Sequence, residues 1–254
     1  MVRIAAVGDL HIRAGVPIGM AEELLALRDQ ADVLVLAGDI TDGGRIPEVE
    51  AAAELLRPVG LPIVAVLGNH DRRCLRRTAF RRILESAGVT LLDGEATVLD
   101  IGVRLGFAGV GGYGGGFWPD EGPALPHHRA AQALAVRARR EAVRLDQALC
   151  QLDAKVKIVV MHYAPTTSTL GSEPPIKYWM LGNIELAHVI DRHDVDLVIH
   201  GHAHLGNTYG QTTGGTPVRN VATTVTGGPI VHELRVRESH RPMPVVYPAV
   251  ETAT

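Results

Sequence analysis

Five short motifs could do chemistry together: Asp9-Leu10-His11, Gly38-Asp39-Ile40-Thr41-Asp42, Gly68-Asn69-His70-Asp71, Met161-His162 and Gly201-His202-Ala203-His204. Each ends an apolar run: IAAVGDLH, VLVLAGD, IVAVLGNHD, KIVVMH and DLVIHGHAH. Such runs read as buried strands, and a strand of an α/β sheet that gives way to Asp, Asn or His delivers that side chain to one rim. Five deliveries of this kind gather seven oxygen and nitrogen ligands in one crevice. That is enough for two metal ions, and the first reading is a hydrolase.

The elements that must position these motifs alternate. Strands are predicted at 2–7, 33–37 and 63–67, helices at 20–30, 48–57 and 74–87. This is the pattern of a parallel, helix-covered sheet. Closely spaced strands follow at 89–92, 95–100 and 103–110, with Asp93-Gly94 as a turn between the first two. A long helix at 130–150 leads to a strand at 157–161, and 184–192 with 195–200 repeats the helix–strand unit. Short strands at 207–209, 218–222 and 230–236 lie between Gly, Thr and Pro turns, so two sheets are expected.

The order and wording of the motifs resemble the calcineurin-like metallophosphoesterase superfamily, whose signature is Asp-x-His, Gly-Asp-x-x-Asp, Gly-Asn-His-Asp/Glu, a lone His and Gly-His-x-His. All five blocks are unbroken here between residues 9 and 204. The resemblance implies an α/β fold, a four-layer α/β/β/α sandwich of two facing mixed sheets with the metal site at the carboxyl ends of the strands. It implies that Asp9, His11, Asp39 and His204 hold one metal, and that Asp39, Asn69, His162 and His202 hold the other. Asp39 bridges them, and a shared hydroxide attacks phosphorus in line. The residue matching His70 points at the substrate and protonates the leaving oxygen, a task suited to imidazole. Asp42 is expected to orient it through its carboxylate.

Asp9 and His11, two apart on a segment read as extended, should point to one side. Glycine before Asp39, Asn69 and His202 permits a sharp exit from each strand. Two divalent cations less two carboxylates and one hydroxide leave a charge of about +1, which draws a phosphate. Without thiolates the set suits Mn, Fe, Zn or Co. The expected cofactors are two divalent or mixed-valence transition-metal ions, with Mn, Fe or Zn foremost. Asp71 is read as stabilising its turn. His127, His128, His188, His193, His232 and His240 are read as packed or surface residues, and His200 as either a contact behind the ligands or a buried strand residue.

Composition bounds the alternatives. The chain has 254 residues, 46% hydrophobic and 21% charged, which fits a globular core. The motifs run almost end to end, so one domain over 1–240 is expected, followed by a Pro-containing tail at 241–254. The net charge of -3 gives no general basic surface for nucleic acid, and no stable nucleic-acid binding is expected. Met1-Val2-Arg3-Ile4 runs straight into the first strand, no signal peptide is visible, and no apolar stretch approaches the ~18–20 residues of a membrane span. The chain therefore reads as cytoplasmic, with Cys74 and Cys150 as reduced, packed thiols.

The protein Ser/Thr phosphatase branch places one Arg after the second acid and another before Gly-Asn-His; here Gly43 and Leu67 stand there. This departure favours diesters or small monoesters. Arg72, Arg73, Arg76, Arg77, Arg81 and Arg82 read as a solvated helix from whose first turn one or two could reach phosphate. Segments 111–128 and 163–181 are long enough to be functional. Phe117, Trp118, Tyr178 and Trp179 there either line a rim or pack under their own loops. The expected function is a dinuclear metal-dependent phosphoesterase acting on a small phosphodiester, a nucleotide being one such substrate. The alternatives are a phosphomonoesterase of small phosphorylated metabolites and a non-catalytic scaffold. A repair-type nuclease fits less well, given the acidic balance and no evident DNA-capping domain after residue 204.

Overall fold

A computed structural model describes residues 1–17 and 19–235. In chain order the first half runs β1 (Val2–Val7), α1 (Ala21–Gln30), β2 (Val33–Ala37), α2 (Ile46–Leu56), β3 (Ile63–Val66), α3 (Arg77–Ser86) and β4 (Val89–Leu92). Then come β5 (Glu95–Asp100), β6 (Arg104–Val110), α4 (Arg129–Cys150), β7 (Val156–Met161), the single turn α5 (Tyr178–Leu181), α6 (Ile184–Ile190) and β8 (Leu197–His200). The chain continues through β9 (Tyr209–Gln211), β10 (Pro217–Asn220), the single turn α7 (Thr223–Thr226) and β11 (Ile230–Leu234).

The strands form a five-stranded sheet, β11-β1-β2-β3-β4, and a six-stranded sheet, β5-β6-β7-β8-β10-β9. β1 to β4 are parallel and β11 is antiparallel to β1. In the second sheet β6, β7, β8 and β10 are parallel, with β5 and β9 as antiparallel edges. Side chains alternate across each strand. Ile4, Ala6, Val35 and Val64 meet Phe107, Ile158, Val160 and Ile199 between the sheets. Ala5, Val7, Leu34 and Leu36 face the other way, against Leu24 of α1, Leu56 of α2 and Phe80 of α3. Val159, Met161 and Val198 pack under Leu145 of α4 and Leu186 of α6. The layers are α/β/β/α, as expected. Central strands covered on both faces explain the unbroken apolar runs.

Helix starts follow local chemistry. Pro47 occupies the first turn of α2, and the buried Glu48 carboxylate accepts the Gly43 and Arg45 N–H groups at 2.8 and 3.1 Å. Asn183 caps α6 by accepting the Leu186 N–H at 3.2 Å. It also donates to the Tyr113 carbonyl at 2.7 Å, tying α6 to a loop beside the site.

Two expectations need correction, and two short elements went unread. Asp93-Gly94 does form a turn, with Gly94 at φ 87°, but the strands it joins belong to different sheets. β5 pairs with β6 instead, because the chain is crossing between layers. The turns α5 and α7 are too short to give a periodic pattern. Cys74 is buried as expected, whereas Cys150, at the last turn of α4, is exposed. His240, Val236 at the end of the last predicted strand and the 241–254 tail lie outside the described residues.

Candidate metal centre

Every motif stands at the carboxyl end of a strand: Asp9 after β1, Asp39 after β2, Asn69 and His70 after β3, His162 after β7, His202 and His204 after β8. The backbone there is not extended, as had been expected for Asp9 and His11. Asp9, His11, Asp39 and His202 adopt left-handed φ values of 57°, 44°, 47° and 68°. Each such residue costs roughly 1–3 kcal/mol and persists only where its surroundings over-determine it. Here the loops after β1 and β2 hold one another. Asp9 N–H donates to the Gly38 carbonyl and His11 N–H to the Asp39 carbonyl, both at 3.0 Å, and Asp42 N–H donates to Ile12 at 3.1 Å. Gly8 N–H donates to Val221 at 2.8 Å and joins the ends of the two sheets. At Gly68 a Cβ would be driven into the Asp39 carboxylate and its main-chain nitrogen, so only glycine lets the two loops meet.

All seven expected ligands are gathered. Asp9, His11 and His204 form one cluster and Asp39, His162 and His202 a second, with candidate ligand atoms in each within 4.8 Å of one another. Asn69 Oδ1 lies 3.0 Å from His162 Nε2. Asp39 Oδ2 is 3.4 Å from His162 Nε2 and 3.9 Å from His11 Nε2, so it faces both clusters. Asp9 Oδ1 contacts His204 Nε2 at 2.9 Å, and Asp9 Oδ2 accepts the His202 N–H, also at 2.9 Å.

The tautomers suit metal binding. His162 Nδ1 donates to the Ala37 carbonyl at 2.9 Å, which leaves Nε2 turned into the site. His202 Nε2 contacts the Met180 carbonyl at 3.2 Å, which leaves Nδ1. Main-chain partners of this kind fix the orientation of metal-binding imidazoles. Both His11 ring nitrogens are buried without a hydrogen-bond partner among the described residues. An unmet buried polar group costs about 1–3 kcal/mol, and a cation between the rings would remove that penalty. The donor set, imidazole, carboxylate and amide, fits divalent transition-metal ions.

Charge balance in the metal-free protein is specific. Burial opposes ionisation of Asp39, but His162 and the His70 N–H outweigh it and hold the carboxyl below the usual range. Burial likewise opposes charge on His162, yet Asp39 raises it to about 9. Burial and His162 push His202 down to about 3. The His162 contribution to metal-free stability is full below the ordinary imidazole value of ~6.5 and is lost as pH rises through about 9. The Asp39 contribution is present above ~3.8 and is lost as pH falls towards its depressed value. At pH 7 His162 must therefore give up its proton to bind metal. Calorimetric titration of Mn or Zn into metal-free protein should give enthalpies that vary with the ionisation enthalpy of the buffer. Identical enthalpies in all buffers would exclude this proton release.

His70 stands beside the clusters, its ring 4.6 Å from that of His11 and its Nε2 4.0 Å from Asp39 Oδ2. Its Nδ1 donates to the main-chain carbonyl of Asp42. The carboxylate of Asp42 is elsewhere. It accepts from Arg13 Nε at 2.8 Å and lies 3.5 Å from His11 Nδ1. The expected carboxylate orienter of His70 is thus replaced by a carbonyl. Asp71 exceeds its expected turn role. Buried, it accepts the Ile40, Thr41 and Gly68 N–H groups at 3.1, 2.8 and 3.0 Å and the Thr41 hydroxyl at 2.7 Å, locking the β2 loop to the β3 loop.

A cleft of about 500 Å³ opens over Asp39, Asn69, His70, His202 and His204. Its wall is Gly114, Leu134, Tyr163, Glu173, Lys177, Met180, Leu181 and Leu205, of which all but Leu134 and Leu205 lie in the two long segments expected to be functional. Phe117 is fully buried, edge-on to Tyr178, and Trp179 packs on His128. Trp118 is exposed over a separate groove. Phe117, Tyr178 and Trp179 therefore take the loop-packing alternative, and Trp118 does not. His200 is buried, with Nε2 on Thr169 Oγ1 and Nδ1 on the Gly201 carbonyl, both at 2.8 Å, behind the Gly-His-x-His turn. His128 caps α4, while His188 and His193 contact Asp120 and Asp146. Among the described residues no helix is long and apolar enough to cross a membrane.

Residues 2–206 match the family described as calcineurin-like phosphoesterase. The chain belongs to that family. The family uses divalent metal ions, and the His/Asp clusters above are the candidate sites for them. The chain is similar to the DNA double-strand break repair protein Mre11 of Aeropyrum pernix, 30% identical over 124 residues, covering 42% of this chain and 29% of that one. It is also similar to the glycerophosphodiester phosphodiesterase GpdQ of Enterobacter lignolyticus, 27% identical over 100 residues, covering 39% of this chain and 36% of that one. The matched stretches thus span about a third of these relatives. The fold resembles that of the purple acid phosphatase PPD1 from yellow lupin, with a TM-score of 0.52 at 13% identity, covering 87% of this chain and 43% of that one.

Proposed function

We propose that this member of the family is a dinuclear metal-dependent phosphodiesterase acting on a small substrate. The observation that carries this reading is the pair of His/Asp clusters meeting at Asp39 Oδ2 beside an unpartnered His11 ring. In this reading Asp9, His11, Asp39 and His204 hold one metal ion and Asp39, Asn69, His162 and His202 the other. The bound metals supply an activated water and positive charge against the phosphoryl oxygens. The chain does the rest. His70, held through Nδ1 by the Asp42 carbonyl, presents Nε2 to the leaving oxygen and hands it a proton. Lys177 at the cleft wall attracts the anion. Tyr163, whose phenol burial and Asp39 push up to about 12, stays protonated and closes the site against bulk water.

Diesters are favoured over monoesters by what surrounds the phosphate. No arginine stands after Asp42 or before Gly68, the nearby Arg13 is engaged by Asp42, and Arg73 lies against the His70 ring. The apolar wall of Leu134, Met180, Leu181 and Leu205 suits the second ester group. The similarity to a glycerophosphodiester phosphodiesterase supports the same choice. The drawing of site residues from both sheets supports 1–240 as one domain. Hydrolysis of bis(p-nitrophenyl) phosphate and p-nitrophenyl phosphate should be compared after loading with Mn, Fe, Zn or Mg separately. The diester should be favoured by about 10-fold or more in kcat/KM, and chelation should abolish both rates. Preference for the monoester, or turnover that survives chelation, would contradict the reading.

A further inference from the structure

A second recess, of about 250 Å³, adjoins the cleft and shares Asn69 and Tyr163 with it. Its remaining wall holds four arginines, Arg72, Arg73, Arg77 and Arg137, and no carboxylate. Arg72 is neutralised by Asp93 at 2.9 Å and Glu141 at 3.4 Å. Arg73, Arg77 and Arg137 enter no ion pair among the described residues; neither do Arg76, Arg82 and Arg140, and the first three stand out by lining one recess together. Guanidinium groups gathered without acids, in a concavity next to a phosphoryl site, form an anion receptor.

The positions give the recess a side. Arg73 lies along the His70 ring, with Nη1 and Nη2 each 3.2 Å from a ring nitrogen. Arg137 lies 5.6 Å from the Tyr113 ring, which stacks on Tyr163 at 6.1 Å and 19°. This aromatic pair carries the arginine arm to the cleft edge. His70 is the residue at the leaving oxygen in the reading above, so the recess lies on the leaving-group side. We propose that it binds a second phosphate carried by the leaving alcohol, making the preferred substrates diesters of a phosphorylated alcohol. The inference rests on the diesterase reading. Hydrolysis adds water across the P–O bond to that alcohol, whose oxygen takes the proton, and releases a phosphomonoester and the phosphorylated alcohol.

The test uses adenosine 5′-phosphate esterified to glycerol, with and without a phosphate on the glycerol. The metal-loaded chain should favour the phosphorylated ester by about 30-fold or more in kcat/KM, as one or two charge-assisted contacts allow. Arg77→Gln with Arg137→Gln, both exposed positions outside the metal clusters, should reduce that preference to within about 3-fold and leave the unphosphorylated ester unchanged. Equal rates for the two esters in the unsubstituted chain, or a preference that survives the double substitution, would overturn the proposal. Inorganic pyrophosphate provides an independent readout by calorimetry on the 254-residue chain stripped of metal. Its affinity should fall about 10-fold or more in the double variant, and unchanged affinity would overturn the subsite. Arginine-dependent pyrophosphate binding without cleavage of either ester would defeat the diesterase reading and uphold the subsite.

Discussion

Asp39→Ala is expected to lose metal and to reduce kcat/KM by about 10³-fold or more, beyond any other ligand change. The carboxylate has three duties. Its Oδ2 faces His162 at 3.4 Å and His11 at 3.9 Å, and its Oδ1 accepts the His70 N–H at 2.8 Å. Alanine removes the negative charge between the two clusters and the acceptor that seats the catalytic loop. It also strands the fully buried His162, whose raised proton affinity depends on Asp39. Breaking a buried pair from one side costs about 3–5 kcal/mol, so the metal-free variant should also melt earlier. Asp39→Asn separates the effects, since it keeps an acceptor for His70 but lacks the charge. It should fold better than the alanine variant and still fail to hold metal. Metal content by mass spectrometry, thermal midpoints and rates together check this. Near-normal metal and turnover in Asp39→Ala would remove the residue from the centre.

His70→Ala is expected to behave in the opposite way, keeping metal while losing about 10²–10⁴-fold in turnover. His70 is outside the seven expected ligands, though it groups with His11 and Asp42 in a further His/Asp cluster, and its Nδ1 is held by a main-chain carbonyl. In the proposed mechanism its contribution lies in proton transfer. The loss should shrink for p-nitrophenyl esters, whose leaving oxygen hardly needs a proton, and be greatest for alkyl esters. Asp42→Asn should not reproduce the pattern, because the carbonyl that orients His70 survives the change. Its carboxylate serves Arg13 and the His11 side instead, so any loss should be insensitive to the leaving group. A His70→Ala protein that sheds metal, or suffers equally with good and poor leaving groups, would refute the acid role.

The ligand motifs were legible because chemistry here sits where strands end. Buried parallel strands read as apolar runs, and the first polar residues after each run had to emerge on one rim. The left-handed turns at Asp9, His11, Asp39 and His202 were not legible, because Asp and His, though enriched in that region, adopt it too rarely for residue type alone to announce it. Asp42 shows the same limit. Its place in Gly-Asp-x-x-Asp says which residue approaches His70, but not whether the carboxylate or the carbonyl does so. The cleft wall was legible only in part. Segment 163–181 announced itself by its length, but Leu134 lies on α4, Met180 and Leu181 on α5 and Leu205 beyond β8, and only tertiary packing brings these residues together. Asp93-Gly94 announced a turn truthfully, yet no local signal tells whether the chain pairs back or crosses to another sheet.

The central claim is that one chain holds two metal ions across Asp39. A crystal structure of protein reconstituted with Mn or Zn, with anomalous scattering used to locate the metals, tests it directly. The account predicts two peaks ~3.5–4 Å apart, one among Asp9, His11 and His204, the other among Asn69, His162 and His202, with Asp39 between them. A single peak under saturating metal, or a second ion remote from His162 and His202, would contradict it.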